Sequence, residues 1–313
     1  MTIYSVRHTT TYRYKQPVAF GEHRMMLSPR EEHDQRLLDL DLQITPQPTH
    51  LRWGRDVYGN RIAVAHFSGR AKTLRFESTM RVDHSLTDIA DAQIEDCARS
   101  YPFAYGPEDL PHLVQFIERH GADPNHQVEE WARNVLSKSG LTNTRAVLVN
   151  LNRTIHETFK YTARHEKGIQ DPLVTLRIGS GSCRDLAVFM IEAARSLGMA
   201  ARFVSGYLHV RNSAESRARG GNTHAWVQVY LPGCGWVDFD PSSGIVGNRS
   251  LVRAAVARDP RQAIPLSGVW IGSPSDTLGM TAAVSVTAAE DEAAERGATH
   301  GLGATMRLAR TSA

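Results

Sequence analysis

The sequence predicts an α+β protein, on three observations. Period-two alternation dominates residues 1 to about 90, a 3.6-residue apolar period takes over after Pro124, and strand-like runs return beyond Gly198. The 313 residues leave room for two ordinary domains. With 41% hydrophobic and 22% charged residues, the composition excludes collagen, a coiled coil and wholesale disorder.

Ile3, Val6, Thr9, Thr11, Tyr12 and Tyr14 lie in a β-branched and aromatic run that Pro17 is expected to end. LLDLDLQI (37–44) alternates strictly before Pro46, Gly59-Asn60 sits between two further runs as a hairpin turn, and TLRFESTMRVDH alternates again. Short strands separated by turn signals predict an N-terminal antiparallel β-sandwich over 1–110, with Pro102, Pro107 and Pro111 marking its end. A second unit is expected over 111–250. In it Val128, Trp131, Ala132, Val135 and Leu136 trace one helix, stopped by Gly140. Asn143-Thr144 opens another, with Val147, Leu148, Leu151, Ile155 and Phe159 as its buried stripe. Residues 162–182 show no period and end in Gly179-Ser180-Gly181-Ser182, a lead-in expected to be flexible. A third helix follows from about Cys183 to Leu197, and then three strands, ARFVSGYLHV, HAWVQVYL and GWVDFD, the last two joined by a turn at 232–235. Residues 251–287 are read as a C-terminal extension with one or more strands, and 288–313, poor in aromatics, as a mobile tail.

A net charge of +3 without a Lys/Arg block does not point to nucleic acid. There is no run of 18 apolar residues and no signal-peptide pattern, so neither a membrane partner nor export is expected, and the cytoplasm is the expected compartment. The oligomeric state is not legible. Three cysteines, Cys97, Cys183 and Cys234, form no C-x-x-C pair, which argues for free thiols and against a cysteine-bound metal. His165-Glu166 lacks a second His at position 169, and Gly179-x-Gly181 is followed by Arg184 where a dinucleotide loop needs Gly. His112, His120 and His126 read as solvated.

Ser182-Cys183-Arg184-Asp185 is the most informative tetrapeptide. Ser182 and Asp185 have capping-box spacing, which puts Cys183 in the first helical turn, where the helix dipole favours a thiolate. The dipole is not enough. Lowering a thiol by two pH units requires about 2.7 kcal/mol, against roughly 0.3–1 kcal/mol from a helix terminus, so a cationic partner is needed. His224 opens a strand whose next same-face residues are Trp226, Gln228 and Tyr230. Asp240, on the returning strand, lies towards the same open end and is placed to orient the imidazole. Asp238 shares that face, but nearer the turn, and is expected to be a solvated carboxylate. Cys97 and Cys234 have no comparable setting.

LRIGSGSCRDLAVFMIEAARSLGMAARFVSGYL followed by THAWVQVYLPGCGWVDFDPSSG resembles the core of the bacterial transglutaminase-like superfamily, often described as cysteine proteases, over roughly residues 145–245. The β-rich start resembles the N-terminal domain that accompanies this core. The resemblance implies a papain-like fold, with the Cys-bearing helix packed on an antiparallel sheet. It implies Cys183 as nucleophile, His224 as general base and acid, and Asp240 as orienting carboxylate. The implied reaction is acyl transfer through a thioester on a peptide or protein amide, of protease or transglutaminase type, without a cofactor. The Cys183 backbone N–H and the Tyr161 side chain are candidate oxyanion donors, Trp226 is a candidate site wall, and 209–222 is a candidate rim. Asp-Pro-Ser-Ser at 240–243 departs from the family's usual Asp-Pro-Thr, and Gln228 stands where an acidic residue is common. The alternatives are a non-catalytic peptide-binding scaffold, which an intact triad disfavours, and an acetyltransferase, for which no phosphate loop marks an acyl-CoA site.

Overall fold

A computed structural model describes residues 1–87, 93–164, 166, 168–210 and 223–289. The first five strands are β1 (Thr2–Met25), β2 (Gln35–Thr45), β3 (His50–Arg55), β4 (Arg61–His66) and β5 (Arg70–His84). Pro17 does not end β1. It falls where pairing with β5 shifts register between Arg13 and Val18, so the ladder asks no N–H of it. The turn from β3 to β4 uses Gly59 at φ 75°, a conformation that favours glycine.

The helices are α1 (Leu110–Ile117), α2 (Gln127–Ser139), α3 (Thr144–Thr158), α4 (Pro172–Ile178) and α5 (Cys183–Ser196). The short strand β6 (Lys160–Tyr161) precedes α4, and β7 (Ser180–Gly181) follows it. Two of these helices lie in stretches that show no period. α1 and α4 are only 8 and 7 residues long, each opened by a proline in its first turn, and too short to display a repeat. The chain then forms β8 (Ala201–Leu208), β9 (His224–Leu231), β10 (Gly235–Asp240), β11 (Ile245–Val246), β12 (Leu251–Ala257), β13 (Leu266–Ile271) and β14 (Thr277–Ala288).

Among the described residues two larger sheets form. The N-terminal one runs β2-β5-β1-β4-β3, with β13 and β14 also paired to β1. It folds over on itself, because Leu42 and Ile44 of β2, Leu51 of β3 and Trp270 of β13 meet in one apolar cluster around Phe20 and Phe76. The second sheet is antiparallel, in the order β11-β10-β9-β8-β12. One face, with Ala225, Val227, Val229 and Phe239, packs on α5, which α2 and α3 cover in turn. At its β8–β12 edge it meets the N-terminal sheet, where Tyr207 and Val252 pack with Tyr4, Val6, Met80 and Val82. Asn60 ties the two units. Its Nδ2 donates to the Val256 carbonyl at 2.7 Å, and its Oδ1 accepts from the Val256 N–H at 2.9 Å.

The 251–287 segment is therefore divided between the sheets. β12 completes the second sheet, whereas β13 and β14 return to flank β1. The candidate rim, from 211 onward, and the tail, from 290, lie outside the described residues. Among the described residues no helix is long and apolar enough to cross a membrane.

Candidate active site

The Cys183 end of α5 is built by local hydrogen bonds. Ser182 Oγ accepts from the Asp185 N–H at 3.4 Å, and the Ser182 N–H donates to Asp185 Oδ2 at 2.9 Å, a reciprocal capping box. Asp185 Oδ1 also accepts from the Gln170 N–H at 2.8 Å and faces Arg164 Nη1 at 3.1 Å. The lead-in is not loose, contrary to the expectation from its composition. β7 pairs in parallel with β6, and the Thr162 N–H donates to the Gly181 carbonyl at 2.9 Å. Gly181 is needed for close approach, since a Cβ there would lie 2.8 Å from the Asp185 Cβ. Tyr161 sits half-buried on β6, opposite Gly181, two residues before Cys183.

His224 opens β9, and its Nε2 lies 2.7 Å from Asp240 Oδ2 at the end of β10. The other ring nitrogen, Nδ1, is left free of Asp240, and the imidazole and the half-buried Cys183 thiol act on each other's charge. Asp240 is buried. Its Oδ1 accepts from the Ser242 N–H at 2.9 Å, the Ser242 hydroxyl at 2.8 Å and the Ser243 N–H at 3.3 Å, and its Oδ2 accepts from the Ser243 hydroxyl. Burial pushes the Asp240 carboxyl up, but the His224 charge and these donors outweigh it and hold it well below the usual carboxylate range. Burial disfavours the imidazolium, yet Asp240 and the thiol raise His224 well above its ordinary value. For Cys183, burial pushes the thiol up, while the His224 hydrogen bond and charge, with the Ala225 N–H, bring it below its usual value. The three shifts favour a thiolate–imidazolium pair.

Trp226 is buried, and its indole stacks on the His224 ring, with centroids 6.0 Å apart and planes at 27°. The indole Nε1 donates to Asp238 Oδ1 at 2.7 Å. Asp238 is not solvated as the alternation suggested. It is buried against Arg253, whose Nη1 lies 2.8 Å from Asp238 Oδ2, because this face of the sheet meets the N-terminal unit rather than water. Gly206, opposite His224 on β8, clears the space for the indole, since a Cβ there would come 2.6 Å from the Trp226 ring.

Gln228 lies one step farther along the strand, opposite Asp238 on β10 and Arg202 on β8, and accepts from Arg202 Nε at 2.9 Å. Cys97 is exposed, and Cys234 is half-buried, its thiol pushed up by burial. His112, His120 and His126 are exposed.

Comparison with known families decides the kinship of this arrangement. The profile of the bacterial transglutaminase-like N-terminal region matches residues 4–83, and that of the transglutaminase-like superfamily matches residues 130–241. The chain belongs to the transglutaminase-like superfamily. Relatives of this transglutaminase-like chain include an uncharacterized protein of Mycobacterium tuberculosis, 29% identical over 285 residues, spanning 85% of this chain and 87% of the relative. A protein-glutamine gamma-glutamyltransferase of Pseudomonas aeruginosa is 33% identical over 110 residues, covering 32% of this chain and 16% of that enzyme. In fold, the chain is similar to a "putative cysteine protease" from Cytophaga hutchinsonii, with a TM-score of 0.71 at 19% identity over 92% of this chain and 91% of that one. The transglutaminase-like chain is a cysteine-dependent enzyme in kind.

Several residues around the transglutaminase-like site escape a reading by periodicity. Ser242 and Ser243 had a local signal, since hydroxyls just after Asp-Pro commonly bond back to the carboxylate in a turn. Arg253 had one too, as the lone charge in the apolar run LVRAAVA, where burial demands a partner. Asp34, the ion-pair partner of Arg253, and Gly206 gave none, because their roles depend on contacts across the fold. Among the described residues no three His, Cys, Asp or Glu side chains converge as metal ligands.

Proposed function

We propose that Cys183, His224 and Asp240 form the catalytic triad of an enzyme that transfers acyl groups from a peptide or protein amide through a Cys183 thioester. The observation that carries this is the arrangement of His224 between the Asp240 carboxylate, with Nε2 to Oδ2 at 2.7 Å, and the Cys183 thiol at the α5 N-terminus, whose charge acts on the imidazole. In this reading the Cys183 thiolate attacks the amide carbonyl carbon, forming a C–S bond and a tetrahedral oxyanion. The imidazolium gives its Nδ1 proton to the departing amine as the C–N bond breaks, leaving the thioester. Water or a primary amine then attacks, His224 takes its proton, and the C–S bond breaks to restore the thiolate. The Cys183 N–H, which has no intrahelical partner at the first helical position, is the proposed oxyanion donor, with Tyr161 beside it on β6 as the candidate second donor. Asp240 fixes the tautomer and stays ionised.

The name of the Pseudomonas relative, a glutamyltransferase, supports an amine as acceptor and a glutamine side chain as donor amide. We place the reaction in the cytoplasm, where Cys183 stays reduced. The test incubates the protein with a glutamine-containing peptide library and a primary-amine probe and weighs the products. A mass gain equal to the probe less ammonia is transfer, and a peptide fragment or a one-dalton gain is hydrolysis. Either product must vanish in Cys183→Ala, and a reaction that persists in that variant overturns the proposal.

A further inference from the structure

Outside the triad, a buried chain of charges links the N-terminal unit to the catalytic hairpin. Asp34, between β1 and β2, pairs through Oδ1 with Arg253 Nη2, and its Oδ2 accepts from Asn248 Nδ2 at 2.7 Å. Arg253, on β12, reaches Glu32 through Nε at 3.3 Å and Asp238 through Nη1 at 2.8 Å. Asp238 in turn holds the Trp226 indole N–H, and that indole lies on the His224 ring. Replacing a buried ion pair by apolar residues is commonly neutral or stabilising, so fold stability is a weak reason for four charged groups here. Fixing the attitude of one ring is a better one.

We propose that the N-terminal β domain is part of the catalytic device, with Asp34, Arg253 and Asp238 as positioning residues that hold Trp226 against His224 and so prolong the life of the imidazolium. This rests on His224 being the catalytic base. An imidazolium over an indole face gains a cation–π attraction that the neutral ring does not, and donation of the indole N–H to a carboxylate enriches that face in electrons. The groups that face His224 itself are Cys183 from α5, Asp240 from β10, Gly206 from β8 and Trp226 from its own strand. Asp238 and Arg253 stand behind the indole.

The test follows the rate of Cys183 alkylation by iodoacetamide against pH in the full chain. The wild type is expected to show two steps, the lower one for formation of the thiolate–imidazolium pair and the upper one for loss of the His224 proton. Trp226→Leu, Asp238→Asn and Asp34→Asn should each move the upper step down by about half to one pH unit. Asp34→Glu should restore it. In a Trp226→Leu background, Asp34→Asn should shift the step no further, because the indole carries the effect. Should Trp226→Leu fail to fold, Trp226→Phe, which keeps a ring but no N–H donor, takes its place and still uncouples Asp34. Unmoved steps in folded Asp34→Asn and Asp238→Asn, or additive shifts in the double variant, overturn the inference alone. A wild type without a low-pH step at Cys183 overturns the triad reading, and the inference with it.

Discussion

Asp240→Asn tests the triad where its geometry is most constrained. The carboxylate accepts from His224 Nε2, from the Ser242 and Ser243 backbone N–H groups and from both serine hydroxyls. An amide has to put its NH2 group where one of the two oxygens stood. At the Oδ1 position it would face the two serine N–H groups, which cannot reverse, and each unpaired buried donor costs about 1–3 kcal/mol. At the Oδ2 position it would face the Ser243 hydroxyl, which can rotate to accept, and His224 Nε2, which can accept only without a proton. The second orientation is cheaper, and it moves the ring proton to Nδ1, where a neutral imidazole cannot deprotonate the thiol. The charge-assisted bond, about 1.5–3 kcal/mol, is lost as well, which lowers His224 by about one to two pH units. We expect kcat to fall by about 10³–10⁴, as with the orienting carboxylate of serine triads, or about 4–5.5 kcal/mol of activation energy. The assay is kcat and KM for amine incorporation into a glutamine peptide, with circular dichroism and the melting temperature as folding controls. A folded Asp240→Asn with kcat within about tenfold of the wild type refutes the assignment. Asp238→Asn should instead cost mainly stability, because it leaves the Arg253 charge partly uncompensated in the interior. A greater kcat loss there than at Asp240 would transfer the orienting role to Asp238.

Cys183 should be alkylated fastest of the three cysteines at pH 6, since its thiol is lowered while that of Cys234 is raised. Mass mapping after brief iodoacetamide exposure checks this, and equal labelling of Cys97 or Cys234 removes Cys183 as nucleophile. Amine incorporation should follow a bell, rising through the lowered Cys183 pKa and falling through the raised His224 pKa, and a single rising limb up to pH 10 would contradict the ion pair. His8, buried between Thr10 and the Tyr207 hydroxyl, is lowered to about 4 by desolvation. Below pH 6.5 the unfolded chain binds a proton that the native one does not, so His8 makes native stability fall as pH drops from 6.5 towards 4. Urea titrations should show about 2 kcal/mol of the loss between pH 7 and pH 5 absent in His8→Gln, and identical losses in both proteins would be the contrary result. Asn60→Ala strips the Val256 N–H and carbonyl of their partner and should cost about 2–4 kcal/mol, read as a fall in urea midpoint, and an unchanged midpoint would deny Asn60 its bridging role.

Local signals carried most of what the sequence disclosed. α5 was legible because Ser182, Asp185 and the apolar repeat behind them specify a helix start within a few residues. The hairpin of β9 and β10 was legible because Gly233 and Gly235 punctuate two alternating runs, which brings His224 and Asp240 to one end as their positions suggest. Whatever depended on distant partners was not. Alternation says that Asp238 shares a face with Asp240, but not that this face is covered, and so the carboxylate was read as solvated. Nor does any pattern within 266–288 disclose that β13 and β14 pair with the first strand of the chain. Pro17 was read as a stop because ladder pairing was assumed to run unbroken, whereas a register shift accommodates it.

The position of β1 bears on how the protein must be made. Residues Tyr4–Arg13 lie between β5 and β14, so this strand acquires its second neighbour only from residues 277–288, made long after it. Until then one flank of β1 is an open template for strands of other molecules, a recognised route to aggregation. Over the same interval Arg253 is synthesised more than two hundred residues after Asp34, its ion-pair partner. The buried ion pair thus waits on residue 253, and proteolysis that removed only β14 would leave every triad residue in place while exposing a strand edge open to pairing with other molecules.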